Sequence, residues 1–163
     1  MKEIYPNLYI GSQDDYENIV QLLIDRDKED WFVIHACKEP YHRNVLGYVG
    51  KAAPKDHPEY LIAHRGNHLV LNLVDAPNPA YIPKQIIDEA VKAIHDNIGD
   101  RKVFVHCNQG MSRSATIGLL YLKAVHAVDD NFTTAEQEYL ELYPWYSPGS
   151  GMRGFAMMNW GNY

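Results

Sequence analysis

Apolar residues fall along this chain in two patterns: short unbroken runs, and longer stretches in which they return every three or four positions. The runs Trp31-Phe32-Val33-Ile34, His68 to Leu73 and Lys102 to Val105 predict buried strands. Lys2 to Ser12 predicts two further short strands about a Pro6-Asn7 turn. The helical pattern first appears at Tyr16, Ile19, Val20 and Leu23, behind Asp14 or Asp15 as cap. It returns at Ile86, Ile87, Ala90, Val91, Ile94 and Ile98, with Pro83 in the first turn and Gly99 as the stop. Arg113 to Val125 is apolar all round and predicts a central buried helix, where Gly118 allows close packing. Thr133 with Glu136 reads as a capping box for a helix to about Tyr143, which Pro144 and Pro148 end. A last helix is expected from Gly154 to Trp160. Residues 37–66 are irregular, with a short helix expected around Val45 to Ala53. Strands alternating with helices predict an α/β fold, a central mostly parallel sheet flanked by helices, in one domain over residues 1–163.

Composition narrows the function classes. The chain is 46% hydrophobic and 22% charged with a net charge of −6, which suits a globular protein and disfavours binding to nucleic acid or to an anionic membrane. Two cysteines, Cys37 and Cys107, make no secreted disulfide framework. No segment reads as a leader or a membrane span, and a cytoplasmic location is expected. The eight histidines lack the paired spacing of zinc sites, so neither metal nor cofactor is expected.

The chemistry is concentrated at His106 to Ser114 (HCNQGMSRS), between a predicted strand and the N-terminus of the apolar helix. A tight loop there turns backbone N–H groups inward, and with the helix dipole they make an anion nest suited to phosphate. Asn108, Gln109, Gly110, Met111, Ser112 and Arg113 would bind the phosphoryl oxygens. Gly110 lets the backbone turn, and Arg113 supplies a planar fork of donors. The field that favours phosphate also favours a thiolate at Cys107, a nucleophile under the bound group. Ser114 can hydrogen-bond the sulfur and help it leave, while His106 orients the loop through backbone contacts. A phosphocysteine route needs an acid for the leaving group, and Asp75, past a strand end in a Pro-Asn-Pro turn, is the candidate. On position alone Asp75 reads as readily as an ordinary turn aspartate.

HCNQGMSRS resembles the HCxxGxSRS signature of the dual-specificity protein phosphatases, within the cysteine-based protein tyrosine phosphatase superfamily. Ile4 to Ser12 is similar to the family's opening strand, Leu73-Val74-Asp75 to its general-acid loop, and Pro148 to Phe155 to its closing region. The resemblance implies a protein tyrosine phosphatase-like sheet, a metal-free two-step mechanism and Asp75 as the acid. It implies a phosphorylated protein or peptide as substrate, on phosphotyrosine and possibly on phosphoserine and phosphothreonine. Some members carry a cysteine where Cys37 stands, which traps the oxidised nucleophile as a disulfide; the alternative is a small buried core cysteine. Glu39 to Asn67 departs from the pattern and is expected to shape the pocket rim.

Two rival functions share the fold. A phosphoinositide or other non-protein phosphatase would favour lysines inside the loop, and Asn108, Gln109, Met111 and Ser112 carry no charge. A non-catalytic phosphate-binding module would lack the cysteine or the acid, and both are present. His42, Arg43, His64, Arg65 and Arg153 could form a positive rim, though each taken singly reads as solvated loop charge. Tyr139, Tyr143, Trp145 and Tyr146 are expected to pack around the C-terminal helices or to flank a substrate ring.

Overall fold

The computed structural model describes residues 1–163. The first strands, β1 (Lys2–Tyr5) and β2 (Leu8–Gly11), form the expected hairpin, turned by Asn7 in the left-handed region at φ 68°. A helical segment follows as α1 (Gln13–Asp15), a π-helical stretch (Tyr16–Val20) and α2 (Gln21–Asp25). Its cap is Ser12 rather than Asp14 or Asp15. Ser12 Oγ accepts from the Asp15 N–H and the Asp15 carboxylate accepts from the Ser12 N–H, so Asp15 is the far half of a capping box.

Next come β3 (Trp31–His35), a second π-helical stretch (Lys38–His42), α3 (Arg43–Leu46), β4 (Ile62–Arg65) and β5 (His68–Leu71). The helix expected at Val45 to Ala53 is displaced: the helical turns lie earlier, and Gly47 ends α3. Strand β4 was not expected, because as an edge strand it buries only Ala63 fully.

The rest is α4 (Lys84–Asn97), β6 (Lys102–His106), α5 (Arg113–Ala124), α6 (Phe132–Leu142) and α7 (Ser150–Asn159). Helix α6 is capped by Asn131, whose side chain accepts from the Thr134 N–H, so Thr133 and Glu136 do not form the cap. Glu136 instead takes the guanidinium of Arg153. Helix α7 begins four residues earlier than Gly154.

The six strands form one sheet in the order β1-β2-β6-β3-β5-β4. Strands β2, β6, β3 and β5 are parallel, and β1 and β4 run antiparallel at the edges. Alternation along the strands divides the buried side chains between two faces of unequal depth. Ile10, Phe32, Ile34, Val103 and Val105 join a core of 31 buried residues roofed by α4 to α7. Trp31, Val33 and Phe104 face a cluster of only five, roofed by Tyr16 and Val20. That thinner face also takes His35 and His106, which are register partners. Within the deep core, a Cβ on Gly118 would lie 2.9 Å from Ile4, Ile10 and Tyr139, so α5 approaches the sheet as closely as expected.

Central strand β6 runs straight into Cys107, and the loop to α5 sits at the carboxyl ends of the parallel strands, where sheets of this kind leave a crevice for ligands.

Candidate active site

Cys107 lies at the floor of a cavity of about 590 Å³. Its walls are Asp75, the loop residues Asn108, Gln109, Met111, Ser112 and Arg113, and Ser147 to Gly149 before α7. Asp75 and Arg113 are the charged groups among them.

Sγ of Cys107 accepts a hydrogen bond from the Gly110 N–H at 3.3 Å and lies 3.3 Å from Ser114 Oγ. Ser114 Oγ is also 3.2 Å from the carbonyl of Gly11 at the end of β2. The hydroxyl has one hydrogen, and the carbonyl only accepts. With a thiol at Cys107, the S–H donates to Ser114 and Ser114 donates to Gly11; with a thiolate, Ser114 turns its hydrogen to the sulfur. The N–H groups of Asn108, Gln109, Met111 and Ser112 make no hydrogen bond within the protein and remain free for an anion.

The loop is tied on every side. Gly110 has φ 74°, and a Cβ there would lie 2.7 Å from the backbone of Gly11, so glycine is required twice over, by conformation and by space. Its carbonyl accepts from Tyr143 Oη at 2.7 Å. The carbonyl of Met111 accepts from Ser147 N–H at 2.9 Å. Asn108 joins three elements: Nδ2 donates to Gln13 Oε1 and to the Glu39 carbonyl, and Oδ1 accepts from Arg113 Nη2 at 2.7 Å. Arg113 also donates through Nη1 to the carbonyl of Leu73 at 3.1 Å, and its buried Nε–H has no acceptor in the protein. Two of five N–H donors are spent on aiming the guanidinium, and three remain for a ligand.

Asp75 is exposed and follows β5, and its Oδ1 accepts from Ser112 Oγ at 3.1 Å. Ser112 in turn accepts from the Gly149 N–H at 2.9 Å, and Ser150 Oγ donates to the Pro77 carbonyl at 2.7 Å. The start of α7 therefore braces the Asp75 turn against the loop.

His106 is fully buried beneath the loop, and burial lowers its pKa to about 4. Its Nδ1 is 3.2 Å from the Cys107 carbonyl, a backbone contact of the expected kind. Cys37 is buried, and burial pushes its thiol up to about 12 against the pull of Arg113. Both cysteines are free thiols.

Two possibilities for the surroundings are not realised, and the packing expected of the tyrosines is found. Residues 39–67 do not line the cavity and reach the loop only through the Glu39 carbonyl. The positive rim does not form, because local carboxylates take its members: Arg43 with Glu39, Arg65 with Glu59, Arg153 with Glu136. His42 is buried, bonded to the Glu59 carbonyl and Tyr48 Oη. Tyr139, Tyr143 and Tyr146 are buried packing residues, while Trp145 is 57% exposed. Gln13 and Tyr143 as props of the loop, and Ser147 to Gly149 as a wall, were not expected from the sequence. Only the Pro148-Gly149 pair carried a signal, as part of the closing motif.

No family model and no curated protein matches the sequence. Solved structures match it in shape. A crystal structure of DUSP15 superposes with a TM-score of 0.65 at 20% identity, over 98% of this chain and 86% of that one. The human tyrosine phosphatase-like serine/threonine/tyrosine-interacting protein does so at 0.67 and 20%, over 100% and 97%. PTPMT1 does so at 0.59 and 19%, over 98% and 93%. Six mixed strands, helices on both faces and these superpositions give the chain the protein tyrosine phosphatase-like fold of the dual-specificity phosphatases.

Proposed function

We propose that residues 1–163 form one catalytic domain of the dual-specificity phosphatase type, hydrolysing phosphomonoesters on protein through a phosphocysteine intermediate. The observation that carries this reading is the stack of Cys107 Sγ, the unbonded loop N–H groups, Arg113 and Asp75 about one cavity.

In the first step the Cys107 thiolate attacks phosphorus, the bond to the ester oxygen breaks, and protonated Asp75 gives its hydrogen to that oxygen. Arg113 and the N–H groups of residues 108–112 hold the equatorial oxygens as charge builds on them. In the second step water attacks phosphorus, Asp75 takes a proton from it, and the sulfur leaves as thiolate. Ser114 then turns its O–H toward the sulfur, the second of its two hydrogen-bond arrangements. His106 orients the loop and is not the base. Cys37 is assigned a conditional role, resolving an oxidised Cys107 as a disulfide. Peroxide treatment followed by mass spectrometry tests this, and the absence of a Cys37–Cys107 bond removes the role.

A phosphorylated protein is favoured over a phosphoinositide because Arg113 is the sole cation of the cavity wall. The net charge of −6 supports a partner other than nucleic acid or anionic membrane. No helix is long and apolar enough to cross a membrane, and two free thiols suit a reducing cytoplasm. The test is hydrolysis of a small aryl phosphate by wild type and Cys107→Ser, followed by phosphopeptides against phosphoinositides. Turnover lost with Cys107→Ser and preference for phosphopeptides support the reading. Phosphopeptide binding without turnover by wild type would make the chain a binding module.

A further inference from the structure

The thin face of the sheet carries three histidines, and the proposed reaction uses only one of them. His35 is the register partner of His106, and His68 lies opposite Val33, two residues from His35 on the same face. Their rings are bonded in series. His106 Nε2 is 2.7 Å from His35 Nδ1, and His35 Nε2 is 3.0 Å from His68 Nδ1.

The direction of this series follows from one contact. His106 Nδ1 faces the Cys107 carbonyl, which can only accept, so Nδ1 carries the hydrogen. A neutral ring has a single N–H, so His106 Nε2 accepts and His35 Nδ1 donates to it. By the same step His35 Nε2 accepts from His68 Nδ1. His68 Nε2 has no protein partner and is not among the buried unpaired atoms, so it meets solvent. Every ring is then the Nδ1–H tautomer, the less populated form of free histidine in water. Burial keeps the inner rings neutral at pH 7: it lowers the pKa of His106 to about 4 and that of His35 well below the usual value.

We propose that His35 and His68 are positioning residues for the nucleophile, donating head to tail so that His106 is held as the Nδ1–H tautomer and grips the Cys107 carbonyl. The proposal rests on Cys107 being the nucleophile. Tyr16 stacks on His106 with rings 5.1 Å apart, and Tyr41 on His35 at 4.4 Å, which keeps the rings from turning out of line. Glu17 and Asp15 act on His106 from the helical segment above, Arg113 opposes them from the loop side, and Asp25 acts on His68. The series also has a soft end and a stiff end. His68 can take a proton on Nε2 without breaking a bond. A proton on Nε2 of His35 or His106 would set N–H against N–H and break the series between the rings.

Nitrogen-15 NMR of the wild-type chain at pH 7 reads the tautomers directly and needs no turnover. The expected result is hydrogen on Nδ1 of His106, His35 and His68, and hydrogen on Nε2 of His106 overturns the proposal. Two substitutions extend the test. His35→Phe removes the donor to His106, while His35→Gln offers an amide that donates to His106 and accepts from His68. Alkylation of Cys107 by iodoacetamide at pH 6 is expected to slow about tenfold in His35→Phe, as for loss of one hydrogen bond near a charged group, and to recover in His35→Gln. Identical pH profiles for wild type and His35→Phe contradict the proposal. Wild type with these tautomers and a reactive Cys107, yet no phosphomonoester hydrolysis, would sink the phosphatase reading and leave the positioning role standing.

Discussion

Two stretches of this chain lie outside the sheet and the long helices, and they are held in opposite ways. The loop from Cys107 to Ser112 is bonded by parts of the chain far away in sequence: Gln13, Glu39, Asp75, Tyr143, Ser147 and Gly149. The segment from Glu39 to Tyr60 is bonded mostly to itself. Arg43 pairs with Glu39 and donates to the carbonyls of Tyr48 and Gly50, Lys38 donates to the Lys51 carbonyl, and Val49 is 99% exposed. Convergent restraint fixes a backbone to the tolerance that phosphoryl transfer needs. Local restraint closes a loop and asks nothing of the pocket.

Substitutions in the two stretches should therefore differ by orders of magnitude. Cys107→Ser is expected to lower kcat by at least about 10⁴-fold while leaving phosphate binding measurable by calorimetry. Asp75→Asn is expected to cost about 10²- to 10³-fold in kcat for poor leaving groups and less for good ones. Equal losses across a series of aryl phosphates would contradict the acid role.

Acid should strike the base of the loop next. Burial lowers the pKa of His106 from 6.5 to about 4, so the fold prefers its neutral ring. That preference is fully present above about pH 6.5, is lost as pH falls toward 4, and amounts to about 3 kcal/mol. His35, His68 and His42 are lowered by burial in the same direction. Urea midpoints are expected to fall steadily between pH 6.5 and 4, and a flat profile would contradict the buried neutral rings.

Tyr143→Phe leaves the Gly110 carbonyl without its donor. The expected cost is about 1 kcal/mol in urea unfolding and a severalfold fall in kcat/KM. Arg43→Ala and Arg65→Ala remove surface ion pairs, and each should change stability by less than about 1 kcal/mol and kcat/KM by less than about twofold. A large kinetic effect from either would place the segment back at the pocket.

The same contrast explains what could be read from the chain beforehand. Val103, Phe104 and Val105 announce a strand by apolarity, and Gly110 and Arg113 are residue types that only a few backbones and ligands require. The segment from residue 39 to 61 makes several of its bonds to carbonyl acceptors, which every residue offers, so those bonds leave no mark on composition. Strand β4 was hidden because an edge strand needs few apolar side chains. Two caps were misplaced because Ser12 and Asp15, or Asn131 and Thr133, stand close enough for either to serve. The histidine series depends on register across β5, β3 and β6, which no linear spacing encodes.

The central claim is that Cys107 carries the phosphoryl group between two chemical steps. Acid quenching of the protein during turnover of an aryl phosphate, with peptide mass spectrometry, tests it most directly. One phosphoryl group on the peptide containing Cys107, enriched in Asp75→Asn with a good leaving group and absent from Cys107→Ser, is the predicted result. Turnover that persists in Cys107→Ser, or a phosphoryl group found on any other residue, would contradict the account.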